Sequence, residues 1–186
     1  MDRLRYKLIR SARKSIGMEI KNGELIVRAP QNATLEHINS FIGANKAWVE
    51  KHMRESMQRM AQDAKEPRLS YAEIEELADE AVKYIPERTR YYAEKIGVSY
   101  GRITIRNQRT KWGSCSGKGN LNFNCLLMLA PKEVIDSVIV HELCHRKEMN
   151  HSERFYAEVL RVFPDYYKWD NWLKENGHRL MARMGA

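Results

Sequence analysis

Disulfide chemistry has little to work with in this chain. Its three cysteines, Cys115, Cys125 and Cys144, are odd in number and form no CxxC pair, which argues against a disulfide framework and fits a reducing compartment. No apolar run approaches the ~18 residues of a membrane-spanning helix, so no membrane partner is expected. The opening MDRLRYKLIRSARKS is charged throughout and lacks the apolar middle of a secretory signal, and a cytoplasmic location is the expectation. Internal repeats, low-complexity segments and recognisable nucleic-acid motifs are all missing. The last of these bears on the formal charge of +8, with Lys and Arg spread along the chain rather than gathered in one tail. A solvated basic surface explains that charge, and so does attraction to nucleic acid or acidic partners. Charge alone does not choose between them.

What is present suits a globular protein: 186 residues, 43% apolar, can bury the core of one domain with or without a small appendage. YKLIRS, KSIGMEI and GELIVRAP read as a β-meander, the last two runs joined at Asn22-Gly23, a pair suited to a tight hairpin turn. Thr34 caps a long helical pattern through Ile38, Ile42, Val49 and Met53, and Gln62 to Leu69 is a polar break. Ser70 opens a second helix that Pro86 should kink or split and that ends at Gly97. From Gly101 the period alternates: RITIRNQ is a strand, KWGSCSGKGN a turn-rich connection, and LNFNCLLML a second strand with Asn120, Asn122 and Asn124 on its polar face. Pro131 stands where the first turn of a helix tolerates proline, and PKEVIDSVIVHELCHRKEM continues as that helix. SERFYAEVLRVF is a further helix, before the aromatic PDYYKWDNWL. Strands, then long helices, then strands and helices again make an α+β pattern.

Chemistry concentrates in HELCHRKEMNH, residues 141–151, which holds three of the chain's six histidines. At i and i+4 on a helix, His141 and His145 share a face about 6 Å apart along the axis, a spacing at which two imidazoles can grip one zinc ion. Glu142 lies one step round, placed to take a proton from a water on the metal rather than to be a ligand, as in the HExxH arrangement. Five residues are a short signal, and incidental histidine pairs occur on helices. The apolar VIDSVIV before the motif implies that the helix is buried, and buried polar groups need partners. A catalytic zinc needs a third protein ligand while keeping one position open. Glu148 falls on nearly the same face as His141, but a metal held between His141 and His145 would sit about 7 Å short of it along the axis. His151 can reach if the helix stops, and Asn150 is suited to stop it, with Ser152 as the cap of the next helix. His151 is the better third ligand. Cys144 is expected as a small buried residue, not as part of a cysteine-rich zinc site.

The run RNQRTKWGSCSGKGNLNFNCLLMLAPKEVIDSVIVHELCHRKEMNHSERFY resembles the YgjP-like family of zinc metallopeptidases, relatives of the SprT-like proteases. The resemblance is close over residues 100–175 and looser at RSARKSIGMEI and LIVRAP; KWGSC followed by HELCHxxxxxH carries it. Lys111 stands where such proteins often have arginine. The resemblance implies an α+β, zincin-like catalytic domain with a small antiparallel sheet beside the HExxH helix. It also implies a Zn2+ ion on His141, His145 and His151, and Glu142 as general base. The chain then divides into an N-terminal β-meander subdomain (1–33), a helical region (34–97) and a zincin-like metallopeptidase core (98–186).

A protein or peptide substrate laid along the sheet edge gains sequence-tolerant main-chain hydrogen bonds. Tyr156, Tyr166, Tyr167 and His178 are the candidates for stabilising the tetrahedral oxyanion. For KWGSC, Trp112 as an anchor with Gly113 allowing a tight path reads as a structural corner, with a cleft-shaping loop as the alternative. Beside the leading reading, a zinc-dependent metallopeptidase, stand a nucleic-acid-associated module or a protease acting on DNA-bound proteins, and a hydrolase of non-peptide amides. The ligand choice has a direct test. His151→Ala should weaken zinc binding severely, and Glu148→Ala mildly, by about tenfold, as read by calorimetric titration of both variants with zinc at one pH. Loss of the metal in Glu148→Ala with retention in His151→Ala reverses the assignment.

Overall fold

In the computed structural model, which describes residues 5–184, the chain divides into two compact units, Met1–Lys65 and Glu66–Ala186. The helical stretch expected over residues 34–97 is shared between them.

The first unit holds β1 (Tyr6–Ser11), β2 (Gly17–Lys21) and β3 (Glu24–Pro30). Asn22 and Gly23 both have positive φ, 51° and 72°, as the tight turn between β2 and β3 requires. The strands do not form a meander. Their order is β1-β3-β2, with β1 parallel and β2 antiparallel to β3. The apolar β3 takes the centre, burying Leu25, Val27 and Ala29 completely, and the charged flanking strands become the edges, where charge protects against further pairing. The long helical pattern is two helices, α1 (Leu35–Ala44), capped by Thr34, and α2 (Lys46–Asp63). Asn45 separates them, its amide donating to the Phe41 carbonyl and closing the last turn of α1. Ile38, Ile42 and Val49 complete this core.

The second unit begins with α3 (Tyr71–Ile96), opened by a Ser70–Glu73 capping box and closed by Gly97 at φ 77°. Pro86 lies inside α3 without splitting it. The helix buries Ala81, Ile85, Thr89 and Tyr92 on both sides of the proline, and that packing outweighs one missing backbone hydrogen bond. Then come β4 (Ile103–Arg106), β5 (Gly113–Cys115) and β6 (Leu121–Asn124) in the order β4-β6-β5. β4 is parallel and β5 antiparallel to β6, so the sheet expected to be antiparallel is mixed. β5 arises within the stretch expected as a connection. The strand expected over LNFNCLLML stops at Asn124, whose side chain accepts from the Leu126 amide and donates to the carbonyls of Gln108 and Lys111. Cys125–Leu129 coils into a 3₁₀ turn instead. Of the polar face of that strand, Asn122 looks outward and Asn124 is buried as this bracket.

α4 (Lys132–Cys144), α5 (Glu153–Val162) and α6 (Tyr166–Ala182) follow. α4 is buried nearly all round, with Val134, Ile135, Ile139, Val140, Leu143 and Cys144 at 0–1% exposure, the pattern of a central helix. Of its two buried carboxylates, Asp136 is held from α3: Arg88 Nε donates to Oδ1 at 2.9 Å, Arg88 Nη2 to Oδ2 at 2.6 Å, and the Tyr92 hydroxyl to Oδ2 at 3.1 Å. This fork fixes α4 along and around its axis. Asp136→Ala should destabilise the unit by about 2–3 kcal/mol. That is less than the ~3–5 kcal/mol of a fully buried pair, because the Arg88 side chain keeps some contact with water. A lowered urea midpoint at unchanged m would register it.

Candidate metal centre

α4 ends at Cys144 with His145 as its C-cap, about five residues before the expected stop at Asn150. The amides of Lys147 and Glu148 both turn back onto the Cys144 carbonyl, so the chain doubles over within one turn. Ser152 then caps α5, accepting from the Phe155 amide at 3.3 Å. His151 is returned to the helix end by this loop, and its Nε2 lies 3.0 Å from His141 Nε2. One ligand nitrogen from each of His141, His145 and His151 falls within 4.8 Å of the others. The fully buried Phe155 ring is the floor, its centroid 4.7–4.9 Å from all three imidazoles.

The donor chemistry fits a divalent metal. His145 Nδ1 meets the Glu148 carbonyl at 3.1 Å, which can only accept, so in the neutral ring Nε2 carries the lone pair. His141 Nδ1 meets the Tyr166 hydroxyl at 2.8 Å, which can accept in the same way. Burial first, then the neighbouring histidines, lower the His141 pKa to about 4, and burial lowers that of His145. Neutral imidazoles are what a metal needs. Two nitrogens on one tetrahedral zinc, at ~2.0–2.1 Å each, sit about 3.3 Å apart, close to the observed pair. Glu148 takes part through its carbonyl, which an alanine would keep, so this geometry gives no reason for the tenfold weakening expected of Glu148→Ala. Among the described residues this triad is the group able to hold a metal, and the cysteines are not in it. Cys125 and Cys144 are buried, and burial pushes both thiols up, Cys144 to about 12.

Glu142 stands beside the triad, 7% exposed. Burial raises its carboxyl to about 7, against smaller opposing effects from the Cys115 backbone amide and the Lys111 charge. KWGSC is the cradle of this carboxylate. A Cβ on Gly113 would lie 2.7 Å from Glu142 Oε1 and 2.8 Å from its Cγ, so only glycine leaves room. Trp112 is seated in turn against Gly177 of α6, where a Cβ would meet the indole at 3.1 Å. The structural corner and the cleft wall are thus the same residues. A cavity of about 200 Å³ opens between Trp112, Val138, Leu173 and the pair His141–Glu142.

Of the four oxyanion candidates, Tyr166 has its hydroxyl behind His141, on the ring nitrogen turned away from the triad, and is 4% exposed. The Tyr156 ring lies 6.2 Å from that of His151. Tyr167 lies at the surface with its ring tilted against that of Tyr156, 5.9 Å between centroids, and His178 does not line the cavity. The supporting role of Tyr166 was not readable in the sequence, because the 25 residues between it and His141 carry no spacing signal.

The sequence model of the YgjP-like family, metallopeptidase domain, matches residues 65–176, and the chain belongs to that family. Among solved structures it is similar to the metallopeptidase zymogen abylysin of Pyrococcus abyssi, at 22% identity and TM-score 0.44, covering 49% of this chain and 93% of that one. It is also similar to the zymogen jannalysin of Methanocaldococcus jannaschii, at 20% identity and TM-score 0.45, covering 50% and 95%. No curated protein matches. No helix among the described residues is long and apolar enough to cross a membrane.

If Tyr166 orients His141 for a metal, Tyr166→Phe should keep the fold and lower zinc affinity about 10-fold or more. Competition titration against a chromophoric chelator measures this, and an unchanged affinity assigns the hydroxyl to packing alone.

Proposed function

We propose that the chain is a zinc-dependent peptidase with His141, His145 and His151 as ligands and Glu142 as general base. The observation that carries this reading is the convergence of three imidazoles on one point, with a buried carboxyl beside them raised to about 7. When bound, a zinc ion would polarise the scissile carbonyl and acidify a water.

The remaining work falls to the chain's own groups. A carboxylate with a pKa near 7 is matched to accept a proton at neutral pH and return it to the leaving amine. The Cys115 amide and the bare face of Gly113 hold that carboxylate in one orientation. β5 is an edge strand, and its free side can pair with an extended substrate backbone. The cavity beside Glu142 takes one side chain of that substrate and, once filled, excludes water from the reacting bond. Tyr166 keeps the first imidazole from rotating.

Glu142→Gln tests the assignment. The variant should bind zinc as the parent does and hydrolyse a casein or peptide-library substrate roughly 10²–10⁴-fold more slowly. Zinc content is read by atomic absorption and cleavage by the appearance of new termini. Full activity in the variant makes Glu142 structural.

A further inference from the structure

Between Glu94 and Glu133 the chain has no acidic residue and seven basic ones. That one stretch supplies +7 of the formal +8, and the rest of the chain is close to neutral. The basic residues are spread along the chain, but the net charge is not. The stretch comprises β4, β5, β6 and their connections, the sheet whose free edge runs beside Glu142.

In the rest of the second unit, Arg88 is matched by Asp136, Lys147 and Arg161 by Glu158, Lys174 by Asp170, and Arg179 by Glu66. On the sheet, Arg106 of β4 donates to Asn122 of β6 at 3.1 Å, and Asn122 donates to Ser114 of β5 at 3.2 Å. This ladder crosses all three strands with neutral partners, so the guanidinium is oriented and its charge is not cancelled. Arg109 and Lys111 precede β5 and Lys118 follows it; all three are exposed, and Lys111 reaches the rim of the cavity beside His141 and Glu142. A surface that needed only solubility would intersperse both signs. Cations of one sign around a cleft focus its field and raise the local concentration of anionic ligands.

Resting on the peptidase reading, we propose that the substrates of this site are acidic stretches of polypeptide, drawn to the β4–β6–β5 face and laid along the β5 edge. The positive flanks at both ends of β5 suit an extended chain with carboxylates on either side of the bond to be cut. A peptide fits better than a nucleic acid. The edge offers main-chain hydrogen bonds to a strand, the cavity of about 200 Å³ admits one side chain, and Lys111 and Lys118 flank a single short strand edge.

The test uses the full chain as Glu142→Gln, loaded with zinc so that binding is read without cleavage. Fluorescent dodecapeptides of alternating Ser-Glu, Ser-Gln and Ser-Lys, and a duplex DNA, are titrated by anisotropy. The Ser-Glu peptide should bind at least about tenfold tighter than Ser-Lys at ~50 mM salt, with the gap narrowing at ~200 mM as the charges are screened. Arg102, exposed just before β4, joins Arg106 and Lys118 in the charge reversal: adding Arg102→Glu, Arg106→Glu and Lys118→Glu should reverse that order. If the reversed protein is misfolded by circular dichroism, the same three changed to Gln should flatten it. Equal affinity for the three peptides, or an order that survives these changes, overturns the proposal, as does tighter binding of duplex DNA than of the Ser-Glu peptide. Zinc content of the same samples separates the two readings. Acid selectivity without zinc uptake sinks the peptidase reading and leaves a peptide-binding face, whereas zinc uptake without selectivity sinks only the substrate class.

Discussion

The site depends on where α4 stops. A helix that ran on through Met149 would carry its face past the histidine pair and strand His151 on the far side of a turn. Stopping at Cys144 costs several backbone hydrogen bonds, and the loop recovers part of them by folding the next amides onto the Cys144 carbonyl. The same loop gives the Glu148 carbonyl to His145 and starts α5 at Ser152, which brings Phe155 under the three rings. One chain reversal therefore supplies the third imidazole, the orientation of the second and the floor of all three.

A reversal of that kind is useful only if the helix before it is immobile. α4 has apolar contacts on all sides and one ionic fork to α3 through Asp136. Apolar packing is tolerant of small sliding and rotation, whereas a bidentate guanidinium–carboxylate pair is directional. The fork sits at the N-terminal half of α4 and the histidines at its C-terminal end, so a fixed register at one end is carried along the helix to the histidines. The pocket side is stiffened separately by Asn124, whose amide ties two carbonyls of the β4–β5 connection and so holds Lys111 and Trp112.

Much of this was legible in the sequence, and the misses share a cause. Local signals held: Thr34, Ser70 and Ser152 cap helices, Gly97 ends one, and Asn22-Gly23 turns a hairpin. The three histidines come together although the reason given for it, a stop at Asn150, was wrong. Strand order was not legible, because pairing of β1 with β3 is decided by which strand is most apolar across the whole sheet. LNFN and CLLML read as one alternating strand because the break depends on Asn124 reaching carbonyls 13 and 16 residues away. Pro86 does not split α3, since its local cost is overridden by burial on both sides. The motif residues carry their chemistry in their spacing; Tyr166 and Gly177 do not.

Gly177 has a further meaning. Glycine inside a helix is unfavourable by about 1 kcal/mol relative to alanine, and α6 tolerates it at a buried position where the Trp112 indole lies against bare backbone. The separation of α6 from β5 is thus gauged by one flat ring with nothing interposed. The width of the cleft is a tolerance set by the thickness of an indole, and the bore of the pocket is machined by what is missing from residue 177 rather than by any group that lines it.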